Sequence, residues 1–217
     1  MSLIEVLKSM RPKQWLKNIF IFAPIIFSQN IFYLPLLLKT TIAFITFCIL
    51  SGSMYILNDL KDLEEDKLHP IKLKRPIASG ELKKLPAILF FVILCSLSFV
   101  LAITLNIYFF IIAIIYFFLQ ISYSFWLKHF LILDVFVIAA GFLIRVVAGG
   151  LAIEVSISTW ILICTILLAL FLAMGKRRHE LVLLGKDAST HRTVLAQYSP
   201  YLLDQMIGIV AASTLIS

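Results

Sequence analysis

The chain has 217 residues, of which 61% are hydrophobic and 14% charged, with a mean hydropathy of +1.02. That composition excludes an ordinary water-soluble domain of this size. The formal net charge is +7, but the cations do not alternate with aromatics as on a nucleic-acid surface, so no nucleic-acid partner is expected from it.

Apolar runs of near-spanning length recur in chain order at about Ile19 to Leu38, Thr40 to Leu57, Leu85 to Leu105, Ile107 to Leu127, Leu131 to Ile153, Ile157 to Gly175 and Tyr201 to Ser217. Each approaches the ~20 residues that a helix needs to cross the hydrocarbon core. The pattern predicts an all-α, polytopic transmembrane helical bundle of about seven spans, because lipid admits only helices or closed barrels and no strand alternation is present. The first run is too long for a secretory signal and reads as a retained span. Cys48, Cys95 and Cys164 fall in three separate runs, without zinc or redox spacing, and read as packing residues.

With the N-terminus on the cytoplasmic side, 17 of the 19 Lys and Arg residues fall on that face. The exceptions are Lys39 outside and Arg145 within a span. This positive-inside bias predicts a multi-pass protein of the cytoplasmic (inner) membrane with its working mouth toward the cytoplasm.

The second run ends in N-D-x-x-D-x-x-x-D, formed by Asn58, Asp59, Asp62 and Asp66. On one continuous helix these side chains fall within an arc of roughly 100°, along ~10 Å of axis. Clustered carboxylates at a membrane face repel one another and resist desolvation, so divalent cations between them make chemical sense. Hard oxygen ligands favour Mg2+, completed by waters and substrate phosphates. Asp59, Asp62 and Asp66 are therefore the expected catalytic metal ligands. Lys67, His69, Lys72, Lys74 and Arg75 follow at once, a basic loop suited to phosphate oxygens. Arg75 is the strongest candidate because the adjacent Pro76 stiffens the loop. Ser79 is expected to cap the next helix, with Glu81 in its first turn. His129, His179 and His191 lack metal-ligand spacing and read as surface or hydrogen-bonding residues.

The acidic motif, followed by H-P-x-K-x-x-R-P-I-A-S-G at His69 to Gly80, resembles the first aspartate motif of the UbiA superfamily of intramembrane polyprenyl transferases. R-P-K-Q-W-L-K-N at Arg11 to Asn18, Y-S-x-x-L-K at Tyr123 to Lys128, D-V-x-x-x-A-x-G-F-x-x-R at Asp134 to Arg145 and G-K-R-R-H-E-L at Gly175 to Leu181 are similar to its decaprenyl-phosphate phosphoribosyltransferase branch. The resemblance implies transfer of 5-phosphoribose from phosphoribosyl diphosphate to a polyprenyl phosphate, with release of pyrophosphate and with Mg2+ as cofactor. The alternative is a prenyltransferase that joins a polyprenyl diphosphate to an aromatic or other small acceptor. Since the superfamily commonly has nine helices, residues 1–217 are expected to be a single transmembrane catalytic domain lacking the last two.

Residue by residue, the resemblance implies diphosphate and magnesium binding at Asn58, Asp59, Asp62 and Asp66, with Lys72 and Arg75 beside them. Aromatic-prenylating relatives usually carry a second D-x-x-x-D motif after the sixth span. This chain instead has Lys176, Arg177, Arg178 and Glu180 there, with Asp187 beyond. Cations in place of carboxylates suit a donor bearing an extra phosphate, so Lys176 and Arg177 are expected at that phosphate, with Glu180 also among the substrate-binding residues. Lys13, Lys17 and Asn18 are expected to hold the acceptor phosphate, with Trp15 in the interfacial belt. Tyr123 and Lys128 mark the next cytoplasmic turn and, with Asp134 just inside the following span, are also expected among the substrate-binding residues. Asp134 shares a helical stripe with Arg145 but lies too far along the axis to pair with it. Gly149 and Gly150 are expected to permit close helix packing.

Overall fold

Hydrocarbon cannot solvate a backbone amide, and the described residues meet that constraint with helices. The computed structural model describes residues 3–184 and 198–216, and among these no strand occurs. In chain order the helices are α1 (Leu3–Ser9), α2 (Ala23–Phe27), α3 (Leu34–Lys61), α4 (Leu63–Leu68), α5 (Lys84–Leu105), α6 (Ile107–Phe125), α7 (Leu133–Ile153), α8 (Thr159–Leu184) and α9 (Pro200–Ile216). Three 3₁₀ segments join them, at Pro12–Phe22, Lys72–Lys74 and Leu127–His129. Five helices (α3, α5, α6, α7 and Thr159–Val182 of α8) are long and apolar enough to cross a membrane. The protein is a multi-pass membrane protein.

The first and last of the seven expected spans take other forms. Ile19 to Leu38 is not one helix: the 3₁₀ run Pro12–Phe22 passes into α2, and α3 starts only at Leu34, with Pro35 in its first turn. A 3₁₀ helix rises ~2.0 Å per residue against 1.5 Å for an α-helix. The 3₁₀ run and α2 together therefore have a helical contour of roughly 30 Å. The last apolar helix, α9, has 17 residues and is shorter than the other spans. Two further helices outrun their apolar stretch: α3 continues to Lys61, and α8 carries the basic Lys176 to Arg178 cluster on its own helical surface instead of in a loop.

The chain divides into two compact units, Met1–Phe117 with Val147–Val155, and Phe118–Val146 with Ser156–Ser217. In the first, α3 is the central element and packs on α5 and on the 3₁₀ run. Polar atoms inside this packing find partners: Asn18 Nδ2 donates to Ser51 Oγ at 3.1 Å and to Cys48 Sγ at 3.3 Å, and Ser53 Oγ lies 3.1 Å from Cys95 Sγ. Phe47 stacks at a tilt on Tyr116, with centroids 5.1 Å apart, fastening α3 to α6. Asn106 separates α5 from α6; its Oδ1 accepts from Phe109 N and its Nδ2 donates to Leu151 O, both at 2.8 Å. A satellite core of Val6, Met10, Ile56, Leu63, Ile77 and Leu82 seats α1 and the loop after α4 against the end of α3. The second unit packs α7, α8 and α9 around Val135, Ala139, Ala169, Ala173, Leu203 and Val210. Its small alanines let the helix backbones approach closely.

Two sequence expectations change here. Ser79 does not cap α5, which begins at Lys84 with Lys83 as its N-cap; the Ser79 hydroxyl instead donates to Pro76 O at 3.3 Å, and Glu81 precedes the helix. Among the cysteines, Cys48 and Cys95 are buried as packing residues, whereas Cys164 is exposed.

Gly149 fills its expected packing role. A Cβ on it would overlap the carbonyl oxygen of Ile21 and lie 3.1 Å from Ile21 Cα, all rigid backbone. A Cβ on Gly52 would meet only the Met10 side chain, Cε at 2.8 Å and Cβ at 3.0 Å, which can shift more readily than backbone. Gly149→Ala is expected to lower stability by roughly 1–3 kcal/mol and Gly52→Ala by less. Thermal unfolding of both variants in one detergent measures the difference, and equal midpoints would contradict the packing described.

Candidate active site

Each unit contains a buried cluster of charge. In the first, the acidic motif straddles a break: α3 ends at Lys61, Asp62 caps it with φ −88° and ψ 15°, and α4 starts at Leu63. Backbone bonding carries through the break, from Asp62 N to Asn58 O at 2.9 Å and from Asp66 N to Asp62 O at 2.8 Å. The motif residues thus stay close to helical register. They do not share one environment, however. Asp59 and Asp66 are buried, at 2% and 1% exposure, while Asp62 is half-buried and its Oδ2 accepts from Asn58 Nδ2 at 3.1 Å.

Guanidinium groups hold the buried pair. Arg75 Nη1 donates to Asp66 Oδ2 and, at 3.2 Å, to Asp59 Oδ1, so one nitrogen bridges both carboxylates. Lys72 Nζ lies 3.7 Å from Asp66 Oδ1. A second arginine, Arg11, donates to Asp59 Oδ1 and lies over the Tyr55 ring, 4.9 Å from its centroid. Sequence reasoning assigned Arg11 to a motif but to no role. It sits 48 positions from Asp59 and adopts left-handed backbone, φ 53° and ψ 68°, a strain of ~1–2 kcal/mol for a residue with a Cβ. The available signal was a cation immediately before Pro12 at a chain turn.

In the second unit, the Asp134 carboxylate is fully enclosed and takes two donors: Arg177 Nε at 2.7 Å and Tyr198 Oη at 2.7 Å. Tyr198 Oη also accepts from Ile132 N at 2.9 Å. Burial, reinforced by the adjacent carboxylate, pushes the Tyr198 hydroxyl above the usual tyrosine range and keeps it a neutral donor. Arg177, at 1% exposure, spends a second donor on Glu180 Oε2 at 2.6 Å. Its neighbour Lys176 is exposed and lies 3.7 Å from Glu180 Oε1. Tyr198 was not among the sequence-derived candidates; a lone tyrosine 64 residues from its partner carries no local signal.

The remaining candidates fall as follows. Asn18 is completely buried and bonded to α3, which makes it a packing group, while Lys13 and Lys17 beside it are exposed. Tyr123 and Lys128 are half-buried in the second unit, the latter in the 3₁₀ segment after α6. Arg145 does not pair with Asp134, as anticipated. Its Nη1 donates to Gly141 O at 2.6 Å within its own helix, and its guanidinium lies over the Phe142 ring at 5.7 Å. His129 and His179 are exposed; Asp187 and His191 lie outside the described residues.

Comparison with known proteins shows the family. The UbiA prenyltransferase family matches residues 19–179. The chain belongs to that family. It is 35% identical over 89% of its length to a decaprenyl-phosphate phosphoribosyltransferase of Mycolicibacterium smegmatis, and 34% identical over 97% to one of Corynebacterium glutamicum. It spans 62% and 64% of the lengths of those relatives. A solved UbiA homolog from Archaeoglobus fulgidus, bound to DMAPP and Mg2+, superposes with a TM-score of 0.79 at 19% identity, covering 98% of this chain and 75% of the other. That likeness supports the fold.

The family makes Mg2+ the metal to test against these residues. Among the described residues, no three His, Cys, Asp or Glu side chains gather closely enough to hold a metal, so Asp59, Asp62 and Asp66 do not form a ligand triad in this arrangement. Two acceptors nonetheless fit: Asp59 Oδ2 and Asp66 Oδ1 are buried without a hydrogen bond among the described residues. Two hard carboxylate oxygens are enough protein ligands for Mg2+, which takes its other positions from water and substrate phosphate.

Removing either side of the enclosed Asp134–Arg177 pair leaves an uncompensated charge. Asp134→Asn and Arg177→Met are each expected to cost about 3–5 kcal/mol, and Tyr198→Phe about 1–3 kcal/mol. A double-mutant cycle of thermal unfolding in detergent measures the coupling, with the Asp134→Asn/Arg177→Met pair losing less than the sum of the two single losses. Additive losses would show that the two side chains act independently.

Proposed function

We propose that this protein transfers 5-phosphoribose from phosphoribosyl diphosphate to a polyprenyl phosphate at the cytoplasmic face of the inner membrane, releasing pyrophosphate, with residues 1–217 acting as one catalytic domain. The observation that carries the reading is the first-unit cluster: two buried carboxylates, each with one oxygen left without a hydrogen bond among the described residues, set against Arg75 and Lys72. The names of the relatives support the choice of substrates.

Breaking the bond from the anomeric carbon to the diphosphate leaves positive charge on carbon and concentrates negative charge on the departing pyrophosphate. Asp59 and Asp66 would hold Mg2+, which when bound supplies positive charge to the diphosphate oxygens. Arg75 aligns the two carboxylates, and Lys72 adds a cation for phosphate oxygens. Asn58 restrains Asp62 at the helix break. In the second unit, Lys176 is the exposed cation suited to the ribose 5-phosphate. Arg177 supports that helix end through Asp134 and Glu180 instead of contacting the donor. Tyr123 and Lys128 remain substrate-binding candidates. The lipid phosphate is anionic at neutral pH, so its attack requires no strong general base, and none is assigned.

Purified protein in lipid nanodiscs, given radiolabelled phosphoribosyl diphosphate, polyprenyl phosphate and Mg2+, is expected to yield labelled lipid. Asp59→Asn and Asp66→Asn should each lower the rate by about 10²-fold or more, with Asp62→Asn less severe. Chelation should stop transfer and added Mg2+ restore it. Transfer from a prenyl diphosphate to a small aromatic acceptor, without labelled lipid, would replace this reading with prenyl transfer.

A further inference from the structure

A pocket of about 380 Å3 opens beside α1, lined by Lys8, Arg11, Pro12, Lys13 and Gln14. Its lining contains three cations and no carboxylate. Among the described residues, Lys8 and Lys13 form no ion pair, and Arg11 reaches out of the lining to Asp59, an acid already shared with Arg75. Positive charge held this way in a concave site is complementary to a multiply charged anion.

What leaves the pocket is as informative as what lines it. Lys13 belongs to the 3₁₀ run Pro12–Phe22, and in a 3₁₀ helix residues three apart eclipse one another. Lys13, Leu16 and Ile19 therefore stand in one straight column. Leu16 is 71% exposed and Ile19 53% exposed, whereas the column of Trp15, Asn18 and Ile21 turns inward, with Asn18 and Ile21 completely buried. The outward column runs from a cation at the pocket to apolar side chains pointing away from it. An α-helix at 100° per residue would spread the same three residues over a wider arc.

We propose that this pocket and column bind a single-chain lipid phosphate monoester, with the phosphate between Lys8, Arg11 and Lys13 and the hydrocarbon along Leu16 and Ile19. The inference rests on the reading above that the acceptor is a polyprenyl phosphate, and it relocates the acceptor headgroup. Asn18, buried in α3 packing, takes no part; Lys8 and Arg11 replace it. A phosphate monoester carries up to two negative charges, against one on a phospholipid diester, and so matches three cations better. Arg11 gives the site a second property, since the guanidinium that lines the pocket also holds Asp59.

The test uses the full chain in phosphatidylcholine nanodiscs and a benzophenone-bearing farnesyl phosphate as photo-probe. Cross-links are mapped by peptide mass spectrometry, and binding is measured by titration. Expected are cross-links within residues 8–19, displaced by farnesyl phosphate but not by equal concentrations of phosphatidylglycerol or inorganic phosphate. Lys8→Gln and Lys13→Gln should each weaken binding about tenfold. Leu16→Ser/Ile19→Ser should weaken farnesyl phosphate binding without altering the response to inorganic phosphate. Cross-links elsewhere overturn the site. Equal displacement by phosphatidylglycerol reduces it to a general headgroup contact, and equal displacement by inorganic phosphate to a bare anion pocket; both outcomes reject the proposal. Labelled product in the transfer assay with cross-links outside residues 8–19 removes this inference alone. Cross-links within 8–19 without any ribose transfer would instead remove the proposed reaction.

Discussion

Charge sealed away from water beside hydrocarbon must be matched by opposite charge, because an isolated buried ion costs far more than folding can supply. Everything distinctive about this protein follows from how it meets that constraint at Asp59 and Asp66. One nitrogen of Arg75 bridges the two carboxylates, and Arg11 approaches Asp59 as well. The bridge joins α3, α4 and the loop that follows, and leaves one oxygen on each acid available. The proposed magnesium site uses those two oxygens.

The second unit solves the same problem differently. Asp134 is satisfied by an arginine and a neutral hydroxyl, and the arginine is satisfied again by Glu180. Such a closed network is rigid and has little left to offer a ligand. Lys176 on the same turn of α8 is exposed, with its ammonium 3.7 Å from Glu180 Oε1. Neighbours in sequence thus divide the work, one fixing the helix end and the other remaining accessible. The exposed Arg178–Asp204 pair between α8 and α9 adds little by comparison, since solvent-facing ion pairs are weak.

Much of this was legible in the residues. The apolar runs gave α5, α6 and α7 nearly to the residue, and the acidic spacing named Asp59, Asp62 and Asp66, of which the first and last become buried. What local pattern could not reveal was environment. Asp59, Asp62 and Asp66 look alike in sequence, yet the middle one stays half-buried and takes the Asn58 amide while the other two are enclosed. Lys176 and Arg177 are adjacent cations on a helix, and only Asp134, 43 positions before Arg177, decides which of them is enclosed. The first span misled for a related reason. Hydropathy measures how apolar a stretch is and not which helix it forms, so Pro12–Phe22 gave no warning of its tighter winding.

That winding leaves little tolerance for change in length. With three residues per turn, one inserted residue swings everything after it by ~120°. Ile21 would leave its seat against Gly149, and Ile19 would rotate away from the ridge that Lys13 begins. Substitutions along the segment can be absorbed one at a time, whereas an insertion or deletion disturbs both of its faces together. Sequence drift among relatives should therefore change the letters of this stretch far more readily than its spacing.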